Sequence, residues 1–176
     1  MKKSGLILGC MLSASTMAPL AHAVDGLTLE IGRSSESTNT YRLAAQFDFG
    51  QTIWQTDTGY TRLSGYWDAG VTRWSGLDAT SVGISPVLVL TFGEDEGTVT
   101  PYFEAGIGAA YFTRYSFNDG DRDLGSGFQF EDRIGAGLRF DNGAEVGIRY
   151  YHYSNAGIKS PNNGIDTFAL HYRMGI

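Results

Sequence analysis

Apolar and polar residues alternate along most of the chain after residue 25. The pattern is clearest in segments 40–50 and 165–176, where every second residue is apolar and the residues between include Arg, Gln, Asp and His. The apolar positions are Tyr41, Leu43, Ala45, Phe47 and Phe49 in the first segment and Phe168, Leu170, Tyr172, Met174 and Ile176 in the second. A period of two is typical of β-strands with one apolar face. The pattern predicts eight strands, over residues 26–33, 40–50, 60–73, 80–92, 99–113, 127–140, 144–154 and 165–176.

The opposed faces of these strands predict a small transmembrane barrel. A continuous row of Phe, Tyr, Leu and Met suits a lipid-facing wall, and the charged residues behind it suit an interior sealed by a polar network. A soluble barrel such as a lipocalin shows a similar alternation, but it rarely sets so apolar a row opposite Arg, Asp and Gln. No run of 18 apolar residues follows residue 23, which excludes helical membrane spans. We therefore expect an all-β fold, an eight-stranded antiparallel transmembrane β-barrel of the outer membrane.

The first 23 residues have the features of a secretory signal peptide. Lys2 and Lys3 precede an apolar run over 6–12, and Ala21-His22-Ala23 is a small-x-small cleavage pattern. We expect cleavage after Ala23 and a barrel domain over 24–176, located in the bacterial outer membrane. A lipoprotein signal ending at Cys10 is the alternative, although the apolar stretch before this cysteine is short for one.

Cleavage changes what chemistry the chain can support. Loss of Lys2 and Lys3 moves the formal charge from −6 to −8, and this acidic balance argues against nucleic acid as a partner. The only cysteine, Cys10, leaves as well, so disulfide and thiol chemistry are excluded. His152 and His171 are then the only histidines, which argues against a metal site built on several histidines.

Strand parity gives the barrel an orientation. With an even number of strands and both termini in the periplasm, Asp141-Asn142-Gly143 falls at a periplasmic tight turn. The longer polar stretches 114–126 and 155–164 become external loops. Strand 144–154 therefore ends, and strand 165–176 begins, at the height of the outer leaflet.

A histidine and a serine lie two residues apart at that outer end. Positions i and i+2 of a strand point to the same face, about 7 Å apart, so His152 and Ser154 can meet as a general base and a nucleophile. They share the lipid-side face with Val146, Ile148 and Tyr150. In a regular hairpin, Asp166 lies on that face too, which completes a possible Ser-His-acid set. The pattern favours a hydrolase that acts on membrane lipid.

The chain resembles the lipid A 3-O-deacylase (PagL) family of outer-membrane esterases. The residues that carry this resemblance are His152-Tyr153-Ser154-Asn155-Ala156-Gly157-Ile158 and Ser160-Pro161-Asn162-Asn163-Gly164, followed by an acidic residue. The resemblance implies an eight-stranded barrel that hydrolyses the 3-O-linked 3-hydroxyacyl ester of lipid A. It further implies Ser154 as nucleophile, His152 as general base, an oxyanion hole around Asn155 to Gly157, and Phe130 beside the acyl groove. The family's acid is usually glutamate, and here that position is Asp166, which serine triads also accept.

The implied mechanism needs neither a cofactor nor a metal, and its partner is lipid A or lipopolysaccharide of the outer leaflet. The sequence leaves open whether the chain forms a homodimer. Asp119, Asp121 and Asp123 are spaced like a calcium loop but lack its closing glutamate, so we interpret them as a solvated external loop.

Two other functions remain as alternatives. A non-catalytic adhesin or structural barrel would act through long external loops and leaves the His-x-Ser pair unexplained. An outer-membrane phospholipase also uses His and Ser on its lipid face, but such enzymes resemble larger, commonly calcium-dependent barrels. Taken alone, His152 beside tyrosines also fits an interfacial aromatic belt.

Overall fold

The structure is a computed structural model that describes residues 24–93, 99–117 and 122–176. The predicted signal peptide, Asp119 and Asp121 lie outside the described residues. In the part that is described, no helix is long and apolar enough to cross a membrane.

Eight long antiparallel strands form a closed barrel, which confirms the predicted fold class. They are β1 (Gly26–Ser34), β2 (Asn39–Asp48), β4 (Thr61–Trp74), β5 (Ala79–Phe92), β6 (Val99–Phe112), β9 (Phe128–Phe140), β10 (Glu145–Ser154) and β11 (Ile165–Gly175). Each strand pairs with its sequence neighbours, and β1 pairs with β11 to close the cylinder. Three two-residue strands were not predicted, namely β3 (Trp54–Gln55), which extends the sheet beside β4, and β7 (Ser116–Phe117) with β8 (Arg122–Asp123), which form a separate hairpin.

The alternation of the sequence becomes an exposed apolar wall and a buried charged interior. On β11, Phe168 and Leu170 are exposed while Ala169 and His171 are buried. His171 forms a 2.6 Å hydrogen bond with the hydroxyl of Tyr102, which agrees with its predicted place in the interior network. The wall on the outside therefore carries the residues that a bilayer would contact.

Arginine and carboxylate side chains fill the centre of the barrel. The guanidinium of Arg149 donates 2.6 Å hydrogen bonds to Glu30 and Glu104, and Arg42 pairs with Asp68 and Glu131. Tyrosine hydroxyls add further donors to the carboxylates, from Tyr66, Tyr151 and Tyr153. The interior is thus cross-linked from strand to strand instead of being packed with apolar side chains.

The connections at the two ends of the barrel differ. The turn after β9 is closed by a 2.9 Å bond from the Gly143 N–H to the Phe140 carbonyl and contains Gly143 at φ +79°, a conformation that glycine adopts without strain. Arg173 near the C-terminus donates to the Gly143 carbonyl, so the turn and the termini share one end. The loop 155–164 and the β7–β8 hairpin lie at the other end.

Aromatic residues close the loop end of the barrel. The ring of Tyr153 lies edge-on to Trp74 and Phe112, with centroids 5.5 and 5.3 Å apart. Leu124 and Ile165 belong to the same buried cluster. Because Tyr153 is held in this cluster, the end of β10 that carries His152 and Ser154 has a fixed position.

Candidate active site

His152 lies between two aspartates in one row across the barrel wall. In the register of the sheet, it is the direct partner of Asp166 on β11 and of Asp132 on β9. All three residues are half-buried on the lipid-facing side, among exposed apolar neighbours. Within the described residues, no group of three or more His, Cys, Asp and Glu side chains could hold a metal ion.

A short hydrogen bond joins His152 to Asp166. The distance from His152 Nδ1 to Asp166 Oδ1 is 2.7 Å. Because an ionised carboxylate only accepts, this bond assigns the imidazole proton to Nδ1 and leaves Nε2 as the basic nitrogen. Direct partners on neighbouring antiparallel strands have Cβ atoms about 5 Å apart, a separation that the short aspartate side chain can span.

Ser154 is the last residue of β10 and lies directly opposite Phe130 in the register with β9. It is half-buried on the same face as His152. Among the residues that the structure describes, no hydrogen bond joins the Ser154 hydroxyl to His152. Catalytic hydrogen bonds are often long in the absence of substrate and tighten when it binds. The strand therefore brings the base and the hydroxyl to one face and one height.

Asn155 anchors the loop that follows Ser154. Its buried side-chain amide donates to the carbonyls of Leu124 at 2.7 Å and Lys159 at 3.0 Å. Its backbone N–H donates to the side chain of Asn162 at 3.0 Å. Both donor groups of Asn155 are therefore engaged within the loop, and the residue fixes where the loop leaves the strand.

The next two residues turn the chain back with left-handed backbone angles. Ala156 has φ +52° and Gly157 has φ +78°. Among the described residues, the N–H groups of Ala156 and Gly157 have no hydrogen-bond acceptor. Of the predicted oxyanion segment, these two consecutive N–H groups, and not that of Asn155, are available to bind a negative oxygen.

Arg122 ties three loops together beside the site. Its guanidinium donates to the carbonyls of Asn163 at 3.1 Å and Gly164 at 3.4 Å and pairs with Glu36 at 2.5 Å. These contacts connect the loop between β1 and β2, the β7–β8 hairpin and the end of loop 155–164. The loop over His152 is therefore fixed at both ends.

An apolar groove of about 720 Å³ opens on the wall beside His152. Its lining residues come from four neighbouring strands and are Pro86, Leu88, Ala105, Gly106, Ile107, Asp132, Arg133, Ile134, Tyr150 and His152. A second groove of about 440 Å³ continues along the wall and shares Ile134 and Tyr150 with the first. Phe130 does not line either groove; it stands against Phe128 at 5.4 Å, opposite the serine.

The structure adds two residues that the sequence analysis did not single out. Asp132 faces His152 from β9, and Tyr150 donates from its hydroxyl to Asp166 at 2.8 Å. The signal for Asp132 was present in the alternation, because it is the one carboxylate on the face that carries Phe128, Phe130 and Ile134. Tyr150 gave no such signal, since a tyrosine on a lipid-facing strand end is an ordinary interfacial residue.

The chain is similar in sequence and in structure to known lipid A deacylases. The family model described as lipid A 3-O-deacylase (PagL) matches residues 39–175. The lipid A deacylase PagL of Pseudomonas aeruginosa is 47% identical over 160 residues, which cover 89% of this chain and 88% of that protein. The lipid A deacylase PagL of Bordetella bronchiseptica is 51% identical over 71 residues, 40% of this chain and 39% of that protein. A crystal structure of the outer membrane enzyme PagL superposes with a TM-score of 0.79 at 46% identity, covering 86% of this chain and 99% of that chain.

Proposed function

The chain belongs to the lipid A 3-O-deacylase (PagL) family of outer-membrane enzymes, and from this premise we propose that Ser154, His152 and Asp166 form its catalytic triad. The substrate is lipid A in the outer leaflet, and the bond cleaved is its 3-O-linked 3-hydroxyacyl ester. The observation that carries the proposal is the 2.7 Å bond between His152 and Asp166 on the lipid-facing wall, with Ser154 on the same face.

Acylation transfers one proton and forms one ester. His152 Nε2 takes the proton of Ser154 while the hydroxyl oxygen attacks the ester carbonyl. The tetrahedral intermediate then breaks its bond to the sugar oxygen, which leaves with the proton from His152. Water attacks the acyl-serine by the same route and releases a 3-hydroxy fatty acid, which restores Ser154.

Asp166 orients the imidazole and stabilises its charged form. The bond to Nδ1 keeps Nε2 directed to the serine side and compensates the positive charge that forms on the ring. The N–H groups of Ala156 and Gly157 would hold the oxyanion, and one such donor is worth about 3 kcal/mol in the transition state. Asn155 supports them by fixing the loop.

The apolar groove would hold the acyl chain. It begins at His152 and runs along the wall between β5 and β10, so a chain leaving the ester carbonyl can lie against Ile107 and Ile134 without leaving the bilayer. Phe130 flanks Ser154 from the strand on the groove side. This arrangement requires the loop end of the barrel to face the cell exterior.

Export would depend on residues 1–23, which we propose are removed after Ala23. The mass of the protein purified from outer membranes tests this, since cleavage there leaves Val24 as the first residue. A mass that retained these residues would contradict the proposal.

The triad is tested with Ser154→Ala and His152→Ala, each assayed by mass spectrometry of lipid A. We expect either change to lower the rate of 3-hydroxy fatty acid release by about 10³-fold or more, as loss of a triad nucleophile or base usually does. Both side chains are half-buried on the outer wall, so the barrel should still assemble. Ser75→Ala, an exposed serine at the same end of the barrel, is the matched control.

Near-normal release by a correctly folded Ser154→Ala or His152→Ala variant would show that the reaction does not use this triad. Release of fatty acids from phospholipid in place of lipid A would support the phospholipase alternative instead.

A further inference from the structure

We propose that Tyr150 is a positioning residue that holds the Asp166 carboxylate against His152. The inference rests on the proposed triad and adds Tyr150 as a fourth residue that contacts its acid. A single oxygen of that acid, Asp166 Oδ1, accepts two hydrogen bonds, from the Nδ1–H of His152 at 2.7 Å and from the hydroxyl of Tyr150 at 2.8 Å.

The strand register explains how the tyrosine reaches the acid. Tyr150 lies directly opposite Phe168, and Asp166 is two residues before Phe168 on β11. Diagonal partners of this kind are about 7–8 Å apart, which is within the reach of an aromatic side chain but not of a short one. Tyr150 and His152 therefore approach the same carboxylate from one strand.

A second donor matters because the Asp166 side chain is not enclosed. Its side chain is 41% exposed, and that of His152 is 43% exposed. With the histidine bond alone, the carboxylate could rotate and present either oxygen or neither. Two donors on the same oxygen fix its direction, and a carboxylate can only be the acceptor in both bonds.

The main chain of Asp166 is fixed by hydrogen bonds to Ser35. Its N–H donates to the hydroxyl of Ser35 at 3.2 Å, and its carbonyl accepts the Ser35 N–H at 2.9 Å. These contacts fix the main chain at Asp166 but leave its side-chain torsions free. The hydroxyl of Tyr150 constrains these torsions together with His152.

The ring and the hydroxyl of Tyr150 have separate roles that a single substitution can distinguish. The ring lines both apolar grooves, whereas the hydroxyl contacts Asp166. Tyr150→Phe keeps the ring and removes the donor. We expect kcat for lipid A deacylation to fall about tenfold, the effect of losing one hydrogen bond to a charged group, while KM stays unchanged. Tyr172→Phe, on the lipid-facing side of β11 and away from the site, is the matched control.

Two further measurements would distinguish a positioning role of the Tyr150 hydroxyl from a purely structural one. The rate of Ser154 labelling by a small fluorophosphonate, which does not occupy the acyl groove, should fall by the same factor as kcat. In an Asp166→Ala background, Tyr150→Phe should cause no further loss, because the hydroxyl acts through the carboxylate. Equal kcat for Tyr150→Phe and wild type, or a full additional loss in the Asp166→Ala background, would overturn the inference.

The experiment separates this inference from the triad itself. If the fluorophosphonate labels the wild-type protein and the Ser154→Ala variant is inactive, the triad is supported, whatever the kcat of Tyr150→Phe. If Ser154→Ala remains active, the triad is wrong and the inference about Tyr150 is wrong with it.

Discussion

The position of Asp166 shows how the register of a sheet bears on which acid suits the proposed triad. It is the direct cross-strand partner of His152, so its carboxylate reaches Nδ1 at 2.7 Å without a long side chain. A glutamate at this position would carry its carboxylate one methylene further from the strand. A glutamate at position 166 could still reach His152 if its longer side chain folded back toward the imidazole.

The corresponding prediction uses two substitutions of Asp166. Asp166→Asn preserves the shape but presents an amide that favours the wrong imidazole tautomer, so kcat should fall by about 10³- to 10⁴-fold with little change in substrate binding. Asp166→Glu should retain substantial activity. Both are measured as single-turnover release of 3-hydroxy fatty acid. Wild-type rates for Asp166→Asn would remove Asp166 from the triad.

Parity along the strands was enough to predict the face and the height of His152, Ser154 and Asp166. It could not predict the contacts of Tyr150 and Asn155, because these depend on which side-chain atom meets which partner. The hydroxyl of Tyr150 reaches across a diagonal pair, and the amide of Asn155 turns inward to the Leu124 carbonyl, 31 residues earlier in the chain. Neither partner is marked by local sequence.

At the scale of strands, the apolar groove depends on small residues in β5 and β6. Ala105 and Gly106 line the groove and bring little side-chain volume to it, and Pro86 on β5 has no N–H to give to the ladder. Ser85 and Pro86 pair with β4 but not with β6, although the register between β5 and β6 is the same on both sides of them. The depression beside His152 therefore depends on the small residues of β6 and on the interrupted pairing between β5 and β6.

Filling that depression tests whether it holds the acyl chain. Ala105→Trp should raise KM for lipid A about tenfold or more, because the indole occupies the groove, and should leave hydrolysis of a short-chain ester unchanged. Ala45→Trp, on the lipid-facing side of β2, is the matched control. An unaltered KM for lipid A in a folded Ala105→Trp variant would contradict this role.

The ends of the long strands were predicted to within two residues, because each long strand contains several repeats of the apolar–polar alternation. The strands β3, β7 and β8 were missed because two residues cannot show a period. They form where a loop folds back, such as Trp54 pairing with Leu63, and so follow from tertiary structure.

At the scale of the whole molecule, stability depends on a buried ion network. Arg149 on β10 is fully buried and bonds to Glu30, Glu104 and Tyr66, which lie on three other strands. Removing the arginine takes away the ion-pair partner of Glu104 and leaves Glu30 with Arg42 at 3.9 Å. A buried ion without its partner is strongly destabilising.

Arg149→Leu should therefore lower the free energy of unfolding by about 3–5 kcal/mol. Arg149→Lys, which keeps the charge but loses the bidentate geometry, should have a smaller effect. The heat-induced shift in gel mobility measures unfolding in detergent, and deacylation at 25 °C by the folded fraction should remain near normal because the site is on the outer wall. An unchanged unfolding temperature for Arg149→Leu would show that the network contributes little.

The same network determines what this barrel does to the membrane that contains it. Arginine, carboxylate and tyrosine side chains bridge strands across the lumen, and we expect them to leave no continuous water path between its two ends. We therefore expect solutes and ions not to pass through the barrel. On that expectation, a membrane could hold many copies without losing its permeability barrier, and the proposed reaction would take place on the outer wall of the barrel.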